Sequence, residues 1–467
     1  MRILFIEPCA PNFHIYTKIS IPRLGCLVLA ALARQRGLDA EVFIEGDRMV
    51  SDAAIESSDI VAISTTTSTA PRAYQLARKA GELGKWVILG GSHVSFQVEE
   101  ALSHAPFVVR GEGEKALVAF LDELQGSQDW SKVPNLSWLV DGEIRHNPMT
   151  EPLADLDAVP IPDFSLITQR MRGLTPGRVL PVQTSRGCPF DCTFCSVTKM
   201  FGRRYRYRST PNVMAELKQY DSPRTFVFFN DDNFAEHRER TVDLLREMIR
   251  RKLRLTWSTQ VRAGLARDIN LIRLMKRAGC RTVYIGFESI NPDSLDSVNK
   301  RQGVADLERA ARGFRRAGIA VHGMFIFGLE DDTTRSLEQT VVQARKWELD
   351  SVQFMVLTPL PGTETFYQLE DEGRILFDDW SLFDAHHVVF QPRWMSPIEL
   401  QYLQIKAHNW FYSRGSMARR FISGRFHDLA ITAYARHLNA QWRRFNKEWM
   451  RTLASLSVTP FGCKATS

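Results

Sequence analysis

Apolar residues in the first 125 positions fall into short runs of β-branched and aromatic side chains: RILFI at 2–6, EVFI at 41–44, IVAIS at 60–64, WVIL at 86–89 and FVV at 107–109. Between several of these runs the period lengthens to three and four, as at 22–36 and in PRAYQLARKAGELG at 71–84. Short buried strands alternating with amphipathic helices predict βαβ units and a parallel sheet, so 1–140 is expected to be a Rossmann-like domain. The rhythm lapses at 141–178, where prolines 148, 152, 160, 162 and 176 predict an extended connector.

From 179 the alternation restarts. Strands are predicted at 179–184, 225–229, 255–259, 282–286, 321–327 and 352–357, separated by helices at 211–220, 238–252, 268–279, 303–317 and 335–348. Six βα units over 179–385 predict a partial α/β barrel, whose chemistry gathers on loops after the C-terminal strand ends. The region 386–467 is expected to be helical. In its 427–457 stretch Ile431, Tyr434, Leu438, Trp442, Phe445, Trp449, Leu453 and Leu456 recur at steps of three and four, with arginines 436, 443, 444 and 451 around them. Such a helix suits either packing on the barrel with a solvated basic back or lying on a membrane surface.

Composition is that of a water-soluble globular protein: 44% apolar, 24% charged and 10% aromatic over 467 residues. The net charge of +7 sits in the tail, where 401–467 carry eleven Lys/Arg against two Asp/Glu and the first 400 residues balance to −2. Basic residues there flank an apolar stripe and do not interleave with loop aromatics, which argues against nucleic acid. No uncharged apolar run reaches the roughly 18 residues of a membrane span. MRILFIEP begins directly as a strand, so the expected location is cytoplasmic, with peripheral contact at the inner membrane face through the C-terminal helix.

Seven cysteines with three clustered do not make a disulfide framework. Cys188, Cys192 and Cys195, spaced C-x3-C-x2-C in SRGCPFDCTFCS, directly follow the first predicted barrel strand. Gly187 and Pro189 permit a sharply turned loop with all three sulfurs facing one centre. A four-iron cluster held by three cysteines leaves one iron open to a small molecule. Zinc would require a fourth protein ligand, and no nearby Cys or His presents itself.

This spacing, after the first strand of a six-unit barrel, resembles the radical SAM superfamily. The resemblance implies a [4Fe-4S] cluster whose open iron is chelated by S-adenosyl-L-methionine, with reductive cleavage giving methionine and a 5′-deoxyadenosyl radical. It also implies a flavodoxin- or ferredoxin-type electron donor. Phe194 occupies the aromatic position near adenine, and Asp231 and Asp232 in FFNDDNF occupy the strand end that receives the methionine amino group. Gln260 and Arg262 in WSTQVRAG fall where ribose and carboxylate are held, and Glu288 in IGFESIN ends the fourth strand. A helix cap or a surface ion pair is the plainer role for any one of these.

No G-x-G-x-x-G follows the first strand of the N-terminal unit. The unit resembles instead the cobalamin-binding domain that precedes the barrel in one radical SAM class. Ser64, Thr65 and Thr66 after the third strand, Gly90 and Gly91 after the fourth, and His93 are the implied cobalamin contacts, and VVRGEGEKAL at 108–117 also looks like that class. The D-x-H-x-x-G segment is missing from EPCAPNFHIYTK, and His14 lacks its flanking Asp and Gly, so a cobalt-ligating role is not expected of it. The expected activity is cobalamin-dependent methylation of an unactivated carbon in a small-molecule or lipid-like metabolite. The alternatives are a cyclase or rearrangement enzyme whose cobalamin domain is vestigial or non-methylating, and an iron–sulfur electron carrier or sensor without turnover.

Overall fold

The computed structural model describes residues 1–13, 21–168, 179–422, 426–456 and 461. His14 lies outside them. The first sheet contains β1 (Arg2–Glu7), β2 (Asp39–Ile44), β3 (Ile60–Thr65), β4 (Trp86–Gly91), β5 (Phe107–Val109), β6 (Leu136–Val140) and β7 (Glu143–His146), in the order β2-β1-β3-β4-β5-β6-β7. The first five strands are parallel and the last two antiparallel. β1 reads as an unbroken apolar run because both its faces are covered. Ile3 and Phe5 pack with Leu27 and Phe120 on one side, while Leu4 and Ile6 pack with Tyr74 and Leu76 on the other. The strand order reverses between β1 and β3, which opens a crevice beyond their C-terminal ends.

The stretch 141–178, expected as a proline-rich connector, begins instead as sheet. Asp141 and Gly142 take φ of +51° and +82° and join β6 to β7 by a two-residue turn. Asp-Gly is a strong signal for that hairpin turn. The strap resumes after His146 and is tied down as it crosses to the barrel: Ser209 N–H donates to Asp157 at 2.8 Å and Thr168 N–H to the Val42 carbonyl at 3.2 Å.

The second sheet has six parallel strands in sequential order. They are β8 (Val179–Val182), β11 (Phe226–Phe229), β12 (Thr256–Val261), β13 (Cys280–Glu288), β14 (Ala320–Phe327) and β15 (Ser351–Val356). Between the first two lie β9 (Ser185–Arg186) and β10 (Arg206–Tyr207), a short antiparallel ladder. Helices at 210–219, 238–250, 269–277, 304–316 and 334–346 alternate with the long strands. Asp268 caps one and Thr333 forms a capping box with Ser336 at another.

The C-terminal region is helical, at 397–411, 414–422, 426–445 and 447–455. The amphipathic 427–457 stretch is two helices with a break at Asn446, whose side chain is held by the His387 ring at 2.9 Å. Most of its stripe faces inward: Leu438, Trp442 and Leu453 are buried and Trp449 donates to Gln401 at 3.1 Å, while Tyr434 and Phe445 are exposed. Packing on the barrel therefore accounts for most of the stripe. No helix among the described residues is long and apolar enough to cross a membrane.

The C-terminal strand ends of the two sheets face each other. The Trp380 indole donates to Glu100 at 2.9 Å, Asn12 donates to Ser381 at 2.6 Å, and the Phe96 ring fills the space where a side chain at Gly362 would stand.

Candidate active site between the two sheets

The cysteine loop leaves β8, turns through the β9–β10 ladder, and returns at residue 207. Gly187 is obligatory at its root. Its φ is +87°, and a Cβ there would stand 2.5 Å from the Arg204 carbonyl oxygen. Cys188, Cys192 and Cys195 are half-buried free thiols, and Cys195 N–H bonds the Cys192 carbonyl at 3.1 Å. Burial pushes the Cys195 thiol up to about 12 and raises Cys188. No three His, Cys, Asp or Glu side chains among the described residues are arranged to hold a single metal ion. A [4Fe-4S] cluster makes no such demand, because each thiolate takes a different iron. Three thiols on one loop therefore fit a cluster that leaves one iron open, whereas a structural zinc site would need a fourth protein ligand.

The two adjacent acids of FFNDDNF serve this loop differently. Asp231 is fully buried and accepts from Thr184 N–H at 2.6 Å, from Ser185 N–H at 2.9 Å and from the Thr184 hydroxyl. Asp232 is the next residue along and has no cation paired with it among the described residues. Burial pushes its carboxyl up to about 6, with Asp231 adding to the rise and a bond from Gly187 N–H opposing it. Its charge also bears on Cys188 and Cys195. The acids thus hold successive amides of the cysteine loop, and only Asp232 keeps charge to spare.

Arg262, one residue past β12, lies over the Phe190 ring at 3.6 Å and donates to the Lys300 carbonyl. Gln260 sits on β12 with its carbonyl taken by Phe234 N–H at 3.1 Å. Glu288 is buried at φ +56° in an ion pair with Lys300 Nζ at 2.5 Å, so it faces a partner of its own chain. Phe194 packs at the margin of the barrel core. Sequence reasoning missed the segment beneath the loop: Val298 accepts from Thr193 N–H at 3.3 Å, and Asn299 donates to Asp191 at 2.8 Å. Asn299 and Arg301 have positive φ, which a non-glycine sequence does not advertise.

Ser64, Thr65, Thr66, Gly90, Gly91 and His93 lie together at the C-terminal ends of β3 and β4, where Ser64 is paired with Gly90 and Thr65 with Gly91. Thr65 donates its hydroxyl to the Gly90 carbonyl at 2.8 Å, and Thr66 is bonded within its own turn to Thr69. Gly91 has φ +104°, and a Cβ there would overlap the Thr65 carbonyl, so its glycine serves strand approach. Gly90 differs: a Cβ there would meet only the Val109 carbonyl, at an ordinary contact distance of 3.9 Å, so the chain's own path does not demand a glycine at this position. The His93 side chain is enclosed, 5.0 Å from Trp380 and 6.1 Å from Tyr74 between ring centroids, with neither ring nitrogen hydrogen-bonded.

A Rossmann-type domain set against a three-cysteine loop on a six-stranded partial barrel defines a class of iron–sulfur enzyme that works between two cofactor-binding faces. Residues 182–344 match the radical SAM superfamily and residues 17–121 match the B12 binding domain. An uncharacterized methyltransferase of Pyrococcus horikoshii is 31% identical over 84% of this chain and 88% of its own length. The bacteriochlorophyllide d C-12(1)-methyltransferase of Chlorobaculum tepidum is 28% identical over 86% and 85% of the two chains. The anaerobic magnesium-protoporphyrin IX monomethyl ester cyclase of Rubrivivax gelatinosus is 29% identical over 86% and 75%. Among solved structures, the radical S-adenosylmethionine methyltransferase TsrM of Kitasatospora setae, with cobalamin and a [4Fe-4S] cluster bound, shares the fold at a TM-score of 0.66 and 19% identity, over 79% of this chain and 75% of that one. The chain belongs to the radical SAM superfamily, in its branch with an N-terminal B12-binding domain. Its cofactors are accordingly a [4Fe-4S] cluster, S-adenosyl-L-methionine and cobalamin.

Proposed function

We propose that this enzyme methylates an unactivated carbon of a small-molecule or lipid-like metabolite held between the two sheets. The observation that carries the reading is the facing of two strand-end surfaces, one with three half-buried thiols and Asp232, unpaired with any cation among the described residues, the other with the bare backbone of Gly90, which the chain's own packing does not require. When bound, the cluster and S-adenosyl-L-methionine supply a carbon radical and the cobalamin a transferable methyl group. The protein supplies position and dryness. Cys188, Cys192 and Cys195 hold the cluster. Asp232 receives the methionine ammonium, which its unpaired charge favours, and Arg262 with Gln260 reaches the carboxylate and ribose. Phe194 lies against adenine. Asp231 and Glu288 act through the backbone and through Lys300, as positioning residues. Ser64, Thr65, Thr66, Gly90, Gly91 and His93 bound the cobalamin side.

The methyltransferase relatives support methyl transfer; the cyclase relative supports a second reading, in which the same radical closes or rearranges a ring. Anaerobic turnover of metabolite extracts with methyl-deuterated S-adenosyl-L-methionine separates them. Methylation puts a labelled methyl group into a product, whereas 5′-deoxyadenosine release without labelled product favours ring formation. Failure to release 5′-deoxyadenosine under any reductant would overturn both.

Reduction by a flavodoxin- or ferredoxin-type donor belongs to this reading, as does peripheral contact with a lipid surface. The surface for that contact is not the part of the stripe spent on the barrel but Phe421, Ile422 and Phe426, which are 61%, 83% and 63% exposed. Co-sedimentation with anionic vesicles, lost in a Phe421→Ser/Ile422→Ser double variant, is the expected outcome.

A further inference from the structure

The GEGE run that follows β5 reaches across the crevice. Glu112 meets two arginines of the cysteine loop: Arg206 forks onto it at 2.8 and 3.0 Å, and Arg186 lies 3.3 Å away. Arg186 also pairs with Glu114 at 2.7 Å. The two arginines face each other across the β9–β10 ladder, and Arg186 stands two residues before Cys188. All four side chains are nearly enclosed, at 7% exposure for Glu112, 11% for Glu114, 9% for Arg186 and 3% for Arg206. Two acids and two bases balance, so the charge is internally neutralised. Apolar side chains of the same volume could fill such a space as stably; what forked ion pairs add is a single geometry.

The network continues backwards to the first sheet's strand ends. Ser95 donates its hydroxyl to the Gly91 carbonyl at 2.8 Å and accepts from Gly111 N–H at 3.0 Å. Gly111, at φ +68°, precedes Glu112. The strap joins at the same point, since Glu112 accepts from Leu153 N–H at 2.9 Å and Arg206 donates to the Leu153 carbonyl at 2.8 Å. An unbroken path of bonds therefore runs from Gly91 through Ser95, Gly111 and Glu112 to both legs of the loop that carries the three thiols.

We propose that Glu112, with Glu114 as its outer partner, is a positioning residue that couples occupancy of the cobalamin crevice to the geometry of the cysteine loop. A corrinoid seated beside Gly90 and Gly91 stiffens the loop through this clamp, and a loaded cluster tightens corrinoid binding by the same factor, as linkage requires. The inference rests on the proposed two-cofactor reading.

The test uses the full chain and hydroxocobalamin as probe. Its dissociation constant is measured with the cluster absent and after anaerobic reconstitution with iron and sulfide, and amide exchange of residues 186–207 is followed with and without the probe. In the unaltered protein the cluster tightens hydroxocobalamin about fivefold or more, and the probe slows loop exchange. Glu112→Gln brings the ratio of the two constants to about one and abolishes the slowing, while hydroxocobalamin is still bound. Glu114→Gln, which removes the charge paired with Arg186, and Arg206→Lys, which keeps the charge but loses the fork, give intermediate ratios and cover the case in which Glu112→Gln does not fold. A ratio of one in the unaltered protein, or an undiminished ratio in the variants, would overturn the clamp alone. An unaltered protein that retains no corrinoid would overturn the two-cofactor reading itself, and the clamp with it.

Discussion

The strand ends of the first sheet and those of the barrel face one another but use their polar groups in opposite ways. On the first sheet the Thr65 and Thr66 hydroxyls are consumed by Gly90 and Thr69, and Gly91 is demanded by the chain's own path. On the barrel, Asp231 is consumed in the same manner, but Asp232 beside it keeps a carboxyl lifted to about 6 by burial, with no cation paired with it among the described residues. The difference is one of purpose. On the proposed reading, the first surface would accommodate a large preformed cofactor with bare backbone, and the second would hold a small zwitterion with a carboxylate left free of a cation.

The sharpest way to break this contrast is at the thiols. Cys192→Ala should abolish iron retention and 5′-deoxyadenosine release, while the melting temperature of the iron-free chain stays near that of the unaltered protein, since the side chain is half-buried; iron analysis and calorimetry check both. The barrel's spare polarity is also expected to be confined to its strand ends. His408, beneath them, is fully used as a neutral ring: Nε2 accepts from Phe354 N–H at 3.4 Å and Nδ1 donates to the Gln404 carbonyl at 3.2 Å. Burial lowers its pKa to about 4, with His386 adding to the effect. Because that folded value lies below the unfolded one near 6.5, the unfolded chain takes up the proton first as pH falls. Stability from this ring is whole above about pH 6.5 and drains as pH drops toward 4, by roughly 3 kcal/mol; chemical denaturation at several pH values reads it, and His408→Gln should remove that share while the one from His322, also lowered to about 4 by burial, remains.

Gly91→Ala should cost about 2–3 kcal/mol because it forces a side chain into positive φ and into the Thr65 carbonyl, while Gly90→Ala should cost little and weaken hydroxocobalamin binding. Equal costs would erase the distinction between a glycine kept for the chain and one kept for the ligand. The finest test compares the two acids. Asp231→Asn should destabilise by about 1–3 kcal/mol through its bonds to Thr184 and Ser185. Asp232→Asn should leave stability within about 0.5 kcal/mol yet weaken S-adenosyl-L-methionine about tenfold by isothermal titration.

The strands were legible because parallel strands buried on both faces spell themselves out as apolar runs, as RILFI and IVAIS do. β6, β7 and the short β9 and β10 were not; of these β7, Glu143–His146, lies on an open edge where only Ile144 is not well exposed and no alternation marks it. The Asp-Gly turn before it was the available signal. The C-terminal stripe announced an apolar face but not its cover, and the break at Asn446 depends on His387 and Phe13, distant in sequence.

What the amino-acid order determined by itself was everything local: the period of each element, the thiol spacing with Gly187 to turn it, and the six-fold repetition that predicts a barrel. Only the tertiary structure decided depth and partnership. Asp231 and Asp232 are the same residue type at adjacent positions, yet one is bonded out of reach and the other left charged, because burial and hydrogen bonding are set by chain segments dozens of residues away. The same holds for Glu112 and Arg206, 94 positions apart, whose pairing across the crevice no local pattern encodes.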